Sequence, residues 1–262
     1  MFRTLALTGT AAATLALGGL TPDRSADVET RFGAPVAVGN GTVRTYLTTD
    51  NGAPLELGIA LSEGVMTGLH GNDHSVPGAV AMPDGHAMFE YTLALPQENP
   101  TPYRHVVFNW NPGGHEPPGV YDVPHFDFHF YTIDEAERRS IVPGPEFEKL
   151  AAQLPSADEL PAGYVNTPAV PMMGVHWIDP KTPELNGKPF VHTFIAGSWA
   201  GRPTFLEPMI TKAFLESKPD FRGEIPEVRR HAEPGWYPTA YRIRWDEEAR
   251  EYRVALGEFV KR

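Results

Sequence analysis

Hydrophobic and polar positions alternate along much of this chain with a period of two. The pattern is sharpest in His125-Phe126-Asp127-Phe128-His129-Phe130-Tyr131. Successive side chains of a strand point to opposite faces, so Phe126, Phe128 and Phe130 share one face, and His125, Asp127, His129 and Tyr131 share the other. A helix is excluded, because apolar residues at every second position make no helical stripe. The run 105–111 divides in the same way, with His105, Val107, Asn109 and Asn111 against Val106, Phe108 and Trp110. Residues 112–123 join the two runs. Paired antiparallel, they would lay two polar rows side by side, a plausible floor for a site.

The same reading extends to the rest of the chain. Residues 41–63 form two alternating runs around Asp50-Asn51-Gly52, a hairpin signature. Residues 240–259 close the chain as a second hairpin. Further strands are expected at 86–95, 171–179, 189–200 and 203–211. Short helices are expected within 134–154, the first capped by Asp134, and near 211–217. The 27 Pro and 25 Gly punctuate the chain into many short elements. The fold class that follows is mainly β, an antiparallel sandwich or barrel with a few short helices. It would form one β-rich domain over residues 35–262, preceded by a linker at 21–34.

Composition removes several functions. The chain of 262 residues carries 22 Lys and Arg against 33 Asp and Glu, a net charge of −11, which argues against a nucleic-acid or anionic-membrane partner. Residues 1–20 pair Arg3 with a small, apolar run from Leu5 to Leu20, the pattern of a signal peptide. That run is short for a membrane span of about 20 residues. Export to the periplasm, cell envelope or exterior is expected, with no membrane insertion after cleavage of the leader. The absence of Cys excludes disulfides, thiol chemistry and a lipobox anchor.

The chemistry concentrates in residues 114–134. His, Asp and Glu are the ligands of catalytic zinc and of non-haem iron, and His115, Glu116, His125, Asp127, His129, His176 and Glu207 are the candidates. His125 and His129 lie about 13 Å apart along a strand. Each imidazole reaches about 6 Å from its Cα to a metal, so the two share one ion only at full stretch. Asp127 can join either histidine or orient one. A ligand from another strand is needed, and His176, between Val175 and Trp177, is the best donor. The ordinary alternative is the wet face of an antiparallel sheet, but such a face normally carries Thr, Lys, Glu or Arg. His70 to His74 has ligand-like spacing and reads as a polar turn. His86, His105 and His192 read as structural and His231 as surface.

The stretches GHEPPGVYDVPHFDFHFY, MMGVHWID, FIAGSWAGRPTFLEPMIT and the tail PGWYPTAYRIRWDEEAREYRVALGEF resemble the TTHB210-like family of bacterial proteins. The resemblance covers most of the chain after about residue 35. It implies an exported, largely β protein and brings no settled activity.

Two functions from different classes remain. In one, a divalent ion, zinc or iron, is held by His125, Asp127, His129, His176 and His115 in some combination. Glu116 or Glu207 then serves as general acid or base in the hydrolysis or oxidation of a small molecule. In the other, the protein is a non-catalytic envelope protein that binds a metal or small ligand, of the stress-response type. A vacant coordination position separates the two.

Overall fold

The computed structural model describes residues 1, 27–82 and 85–262. The expected signal peptide and most of the linker lie outside them. The first strands are β1 (Val28–Phe32), β2 (Val36–Val38), β3 (Gly41–Asp50), β4 (Ala53–Ser62), β5 (Ala79–Ala81) and β6 (Ala87–Ala94). The middle of the chain gives β7 (His105–Asn111), β8 (His125–Tyr131), β9 (Val165–Val170), β10 (Gly174–Ile178), β11 (His192–Trp199) and β12 (Arg202–Thr211). The last are β13 (Asp220–Glu224), β14 (Trp236–Tyr237), β15 (Ala240–Asp246), β16 (Glu251–Gly257) and β17 (Val260–Lys261). Three short helices interrupt them, α1 (Glu135–Arg139), α2 (Phe147–Ala151) and α3 (Lys212–Glu216).

Among the described residues the strands form two large antiparallel sheets. One runs β1-β3-β4-β16-β15-β13, with β2 also on β3; the other runs β5-β6-β7-β8-β12-β11-β10-β9. β14 and β17 form a separate small ribbon. Both large sheets keep free edges, so the architecture is a sandwich and not a barrel. Local chemistry explains its corners. Asn51 and Gly52 sit at φ 48° and 79° between β3 and β4, the left-handed pair that a tight hairpin turn requires. Asp134 accepts a hydrogen bond from the Glu137 amide at 2.9 Å to open α1, and Thr211 accepts one from Phe214 at 3.2 Å to open α3.

One core fills the space between the sheets. Leu47, Leu57, Ile59, Val254 and Leu256 meet Phe108, Phe126, Phe128, Phe130 and Ile210 there, all essentially inaccessible. This is the face the alternation assigned to the phenylalanines. The opposite face of the eight-stranded sheet is not open to water. Ile133, Ile141, Phe147 and Met173 cover one part by packing on Val107, Tyr131 and Phe205. Tyr121 and Phe190 cover another by packing on Ile195 and Met209. The polar rows of β7 and β8 are therefore enclosed between two satellite clusters, and every residue of both strands is buried.

The expected linker needs one correction. Residues 28–32 are strand β1, paired with β3 from Val28↔Asp50 to Phe32↔Tyr46. The strand is mostly exposed, so backbone pairing at a sheet edge holds it and no burial period marks it in the sequence.

Candidate metal centres

The register of the eight-stranded sheet builds the site. β7 and β8 pair antiparallel with Asn109↔Asp127, Asn111↔His125 and Val107↔His129. On the other side of β8, Leu206 pairs with Phe130 and Met209 with Asp127, which puts Glu207 opposite His129. Directly opposed residues have Cβ atoms about 5 Å apart, within reach of a shared ligand. β10 adds His176, paired with Gly197 of β11. The loop between β7 and β8 folds back and adds His115.

The result is two separate groups. His115, His125 and Asp127 bring one ligand atom each to within 4.8 Å of one another, and so do His129, His176 and Glu207. In the first group His125 Nε2 is 3.2 Å from Asp127 Oδ1, and His115 Nε2 is 3.7 Å from Asp127 Oδ2. In the second, His129 Nε2 is 3.3 Å from Glu207 Oε1, and His176 Nε2 is 3.7 Å from Glu207 Oε2. Around an ion with bonds of about 2.0–2.1 Å, neighbouring tetrahedral ligands stand about 3.3–3.5 Å apart. The observed separations bracket that edge length.

Orientation separates these contacts from ordinary ion pairs. His125 Nε2, Asp127 Oδ1, His129 Nε2 and Glu207 Oε2 are all buried without a hydrogen-bond partner. His125 Nδ1 lies 2.7 Å from the Val123 carbonyl, and His115 Nδ1 lies 2.8 Å from that of Glu116. Each carbonyl accepts a hydrogen bond from Nδ1–H, which fixes the tautomer and leaves the Nε2 lone pair available to a metal ion. Asn111 Nδ2 donates to Asp127 Oδ2 at 2.7 Å and orients that carboxylate. In the second group, Phe205 packs its ring 5.0 Å from that of His129 and 5.1 Å from that of His176.

Two glycines permit this packing. A Cβ on Gly197 would stand 1.9 Å from the Phe205 ring. Gly114 adopts φ +76° and passes so close to the Tyr121 carbonyl that a Cβ would meet it at 2.1 Å. That approach closes the loop carrying His115.

Burial sets the protonation states. It lowers His129 to about 3, with the neighbouring His176, Arg138 and His115 adding to the effect against Asp127. It lowers His176 to about 4, aided by His115. Both rings are therefore neutral, as ligands must be. Burial alone would raise Asp127, but His125 and His115 outweigh it and hold the carboxyl well below the usual range. Glu207 is pushed well above its ordinary value, first by burial and then by the Asp127 charge.

The remaining sequence candidates fall outside both groups. The Glu116 side chain is exposed and joins neither. His105 is buried and stacks on Tyr131 at 5.0 Å. His70 stacks on Phe89, His192 packs on Phe221 and His231 stacks on Tyr237. Behind the second group, Glu90 and the fully buried Arg138 form an ion pair at 2.7 Å. Asn111 carries no sequence signal beyond its place in the alternation, and its role depends on register. A broad cavity of about 900 Å³ lies elsewhere, lined by Tyr103, Phe194, Leu206, Ile225 and Tyr237 among others. None of the six ligand residues lines it.

The molecule is thus an antiparallel sandwich carrying two enclosed His₂-carboxylate groups that could hold metal ions. The family model described as TTHB210-like, hypothetical protein TTHB210, matches residues 49–110, so this part of the chain is similar to the family its motifs resemble. The match runs from the end of β3 through most of β7 and ends before any of the six candidate ligand residues. No curated protein and no solved structure matches the chain.

Proposed function

We propose that this is an exported metal-binding protein. Its two triads, His115–His125–Asp127 and His129–His176–Glu207, would each hold a divalent ion of the zinc or iron class. The observation that carries the reading is the set of buried ligand atoms without hydrogen-bond partners that converge in two groups of the same composition. Two histidines and one carboxylate are a known ligand set for both metals. Three protein ligands leave a position for water or substrate, and a metal at such a position supplies Lewis acidity or redox chemistry for hydrolysis or oxidation of a small molecule. Glu207 belongs to a triad, so its carboxylate acts as a ligand and not as a free base.

A second reading, a non-catalytic metal store or structural metal protein of the envelope, is favoured by enclosure. The Asp127, His129 and Glu207 side chains are only 1–3 % exposed. Elemental analysis of the protein purified without a His-tag tests the shared claim. About two ions per chain are expected; His125→Ala and His176→Ala should each lose one, and His231→Ala none. A metal-free native protein that also fails to take up zinc, iron or cobalt ends the proposal. Cobalt substitution separates the two readings. A visible spectrum that shifts on adding azide marks an open position, and an inert spectrum marks a closed store. N-terminal sequencing of protein recovered from the culture medium or periplasm tests export, and an intact Met1 would refute it.

A further inference from the structure

The two faces of β12 serve different spaces. Glu207 belongs to the second triad. Leu206, one residue earlier, is opposite Phe130 and packs against the core between the sheets. On that side the two layers end unevenly. The seven-stranded sheet stops at β13, whose Phe221 packs on His192 of β11 at 4.2 Å. The eight-stranded sheet continues past β11 to β10 and β9. The cavity of about 900 Å³ draws its walls from both layers, with Phe194 and Leu206 from one sheet and Arg222 and Glu224 from the other. Small-molecule sites have volumes of about 300–1,000 Å³, so its size is right for such a ligand.

The lining says what kind of molecule fits. Its apolar part includes Tyr103, Leu160, Phe194, Leu206, Ile225 and Val260. Its charged groups largely answer one another. Arg202, Arg230 and Arg262 pair with Glu137, Glu159 and Glu227. Arg222 lies 3.7 Å from Glu224, and Asp134 caps α1. Arg104 and Glu233 remain; they are of opposite sign and exposed. The hydroxyls of Thr132, Thr239 and Tyr237 donate to the carbonyls of Thr204, Glu258 and Glu233. A charged ligand would lose its hydration here with no net opposite charge to meet it. One wall residue differs. Thr204 is the extra residue of β12 where its pairing with β11 shifts between Gly197↔Phe205 and Ser198↔Pro203, a β-bulge, which re-aims side chains. Thr204 lines the cavity and is fully buried. Its Oγ1 has no hydrogen-bond partner among the described residues.

We propose that this cavity binds an uncharged lipophilic molecule with one oxygen acceptor, a ketone or ester carbonyl, which takes the hydrogen bond of the Thr204 hydroxyl. The inference is independent of the metal reading. Titrating 2-octanone into the full-length protein tests it by calorimetry. One molecule per chain is expected. Octanoate and octylammonium, the same chain with either charge, should bind about tenfold more weakly or worse. Thr204→Val keeps the shape and removes the hydroxyl; it should weaken 2-octanone about three- to tenfold and leave toluene, which has no acceptor, unchanged. Ile225→Trp, placed to fill the cavity from its wall, should abolish binding of both in a protein whose circular dichroism matches the parent. No 2-octanone bound up to the millimolar range, or octanoate or octylammonium bound as tightly as the ketone, overturns the inference. So does a Thr204→Val protein that binds the ketone as the parent does or loses ketone and toluene equally, and so does a folded Ile225→Trp protein that binds both as before.

Discussion

Gly197→Ala should disable the second metal centre and spare the first. The new Cβ would lie 1.9 Å from the Phe205 ring, where ordinary contact begins at 3.4 Å, so the ring must retreat about 1.5 Å in a close-packed environment. Phe205 is buried, and overpacking of that kind costs about 1–3 kcal/mol. The ring cannot move alone, because it packs against both His129 and His176. A shift of 1.5 Å in either imidazole exceeds the tolerance of a bond near 2 Å, so the triad opens. The first triad shares no side chain with Phe205. Metal titration of the folded variant, followed by elemental analysis after dialysis, should therefore give one ion where the parent holds two. A variant that retains both ions at unchanged affinity while folding normally would refute the assigned role of Phe205, and with it the second centre as drawn.

Three further outcomes follow from the same geometry. Asn111→Ala removes the 2.7 Å hydrogen bond that orients Asp127; competition with a chelator should show a loss of about 10–100-fold in affinity at the first centre alone. The metal-free protein should lose stability on acidification. His129 is depressed to about 3, and His176 and His105 to about 4, so the unfolded chain binds more protons than the folded one below about 6.5. Their contribution is whole above that value and falls through the window down to 4 or 3. Glu207, raised when folded, works in the opposite sense. Three histidines against one carboxyl leave a net loss of stability between pH 6.5 and 5, which urea titrations at the two pH values would measure. Because burial raises Glu207 well above its ordinary value in the metal-free protein, filling the second centre should release the Glu207 proton as the pH is lowered, whereas Asp127, held well below its ordinary value, releases none at the first centre. Calorimetry in two buffers of different ionisation enthalpy reads that proton, and its absence would contradict the assignment of Glu207 as a ligand.

The strand alternation made one layer of this structure legible. Phe126, Phe128 and Phe130 could only face a core, and His125, Asp127 and His129 only the other side. The Asn51–Gly52 turn and the cap at Asp134 were equally readable, because each acts within four residues. Properties set by distant segments were not. That Asp127 joins His125 and His115, while His129 joins His176 and Glu207, depends on the offset between β8 and β12 and on the path of the loop closed at Gly114. The cover over the polar face is built from Ile141, Phe147 and Met173, which are scattered in sequence and share no period. The alternation therefore read as a polar row beside water or a pocket, where the fold encloses it.

That enclosure makes metal loading a stability question as well as a functional one. His125 Nε2, Asp127 Oδ1, both His129 nitrogens, Glu207 Oε2, Asn109 Oδ1 and Asn111 Oδ1 are buried without partners on one face of one sheet. Each unsatisfied group costs about 1–3 kcal/mol, and a folded domain has a margin of only about 5–15 kcal/mol. The metal-free face thus opposes folding by an amount comparable with the whole margin. An ion at each triad answers four of these atoms directly. Because the triads are assembled from β8, β10, β12 and a loop, the unfolded chain has no equivalent site, and binding free energy becomes folding free energy. At a free metal concentration 100 times the dissociation constant, one site adds about 2.7 kcal/mol. Stripping both ions with a chelator should lower the melting temperature by several degrees, and restoring zinc should reverse the loss in a concentration-dependent way. His231→Ala should respond as the parent does, whereas His125→Ala should show about half the zinc-dependent shift. A melting temperature indifferent to chelator, in a protein shown by elemental analysis to hold two ions, would mean that the ions sit elsewhere than on this face.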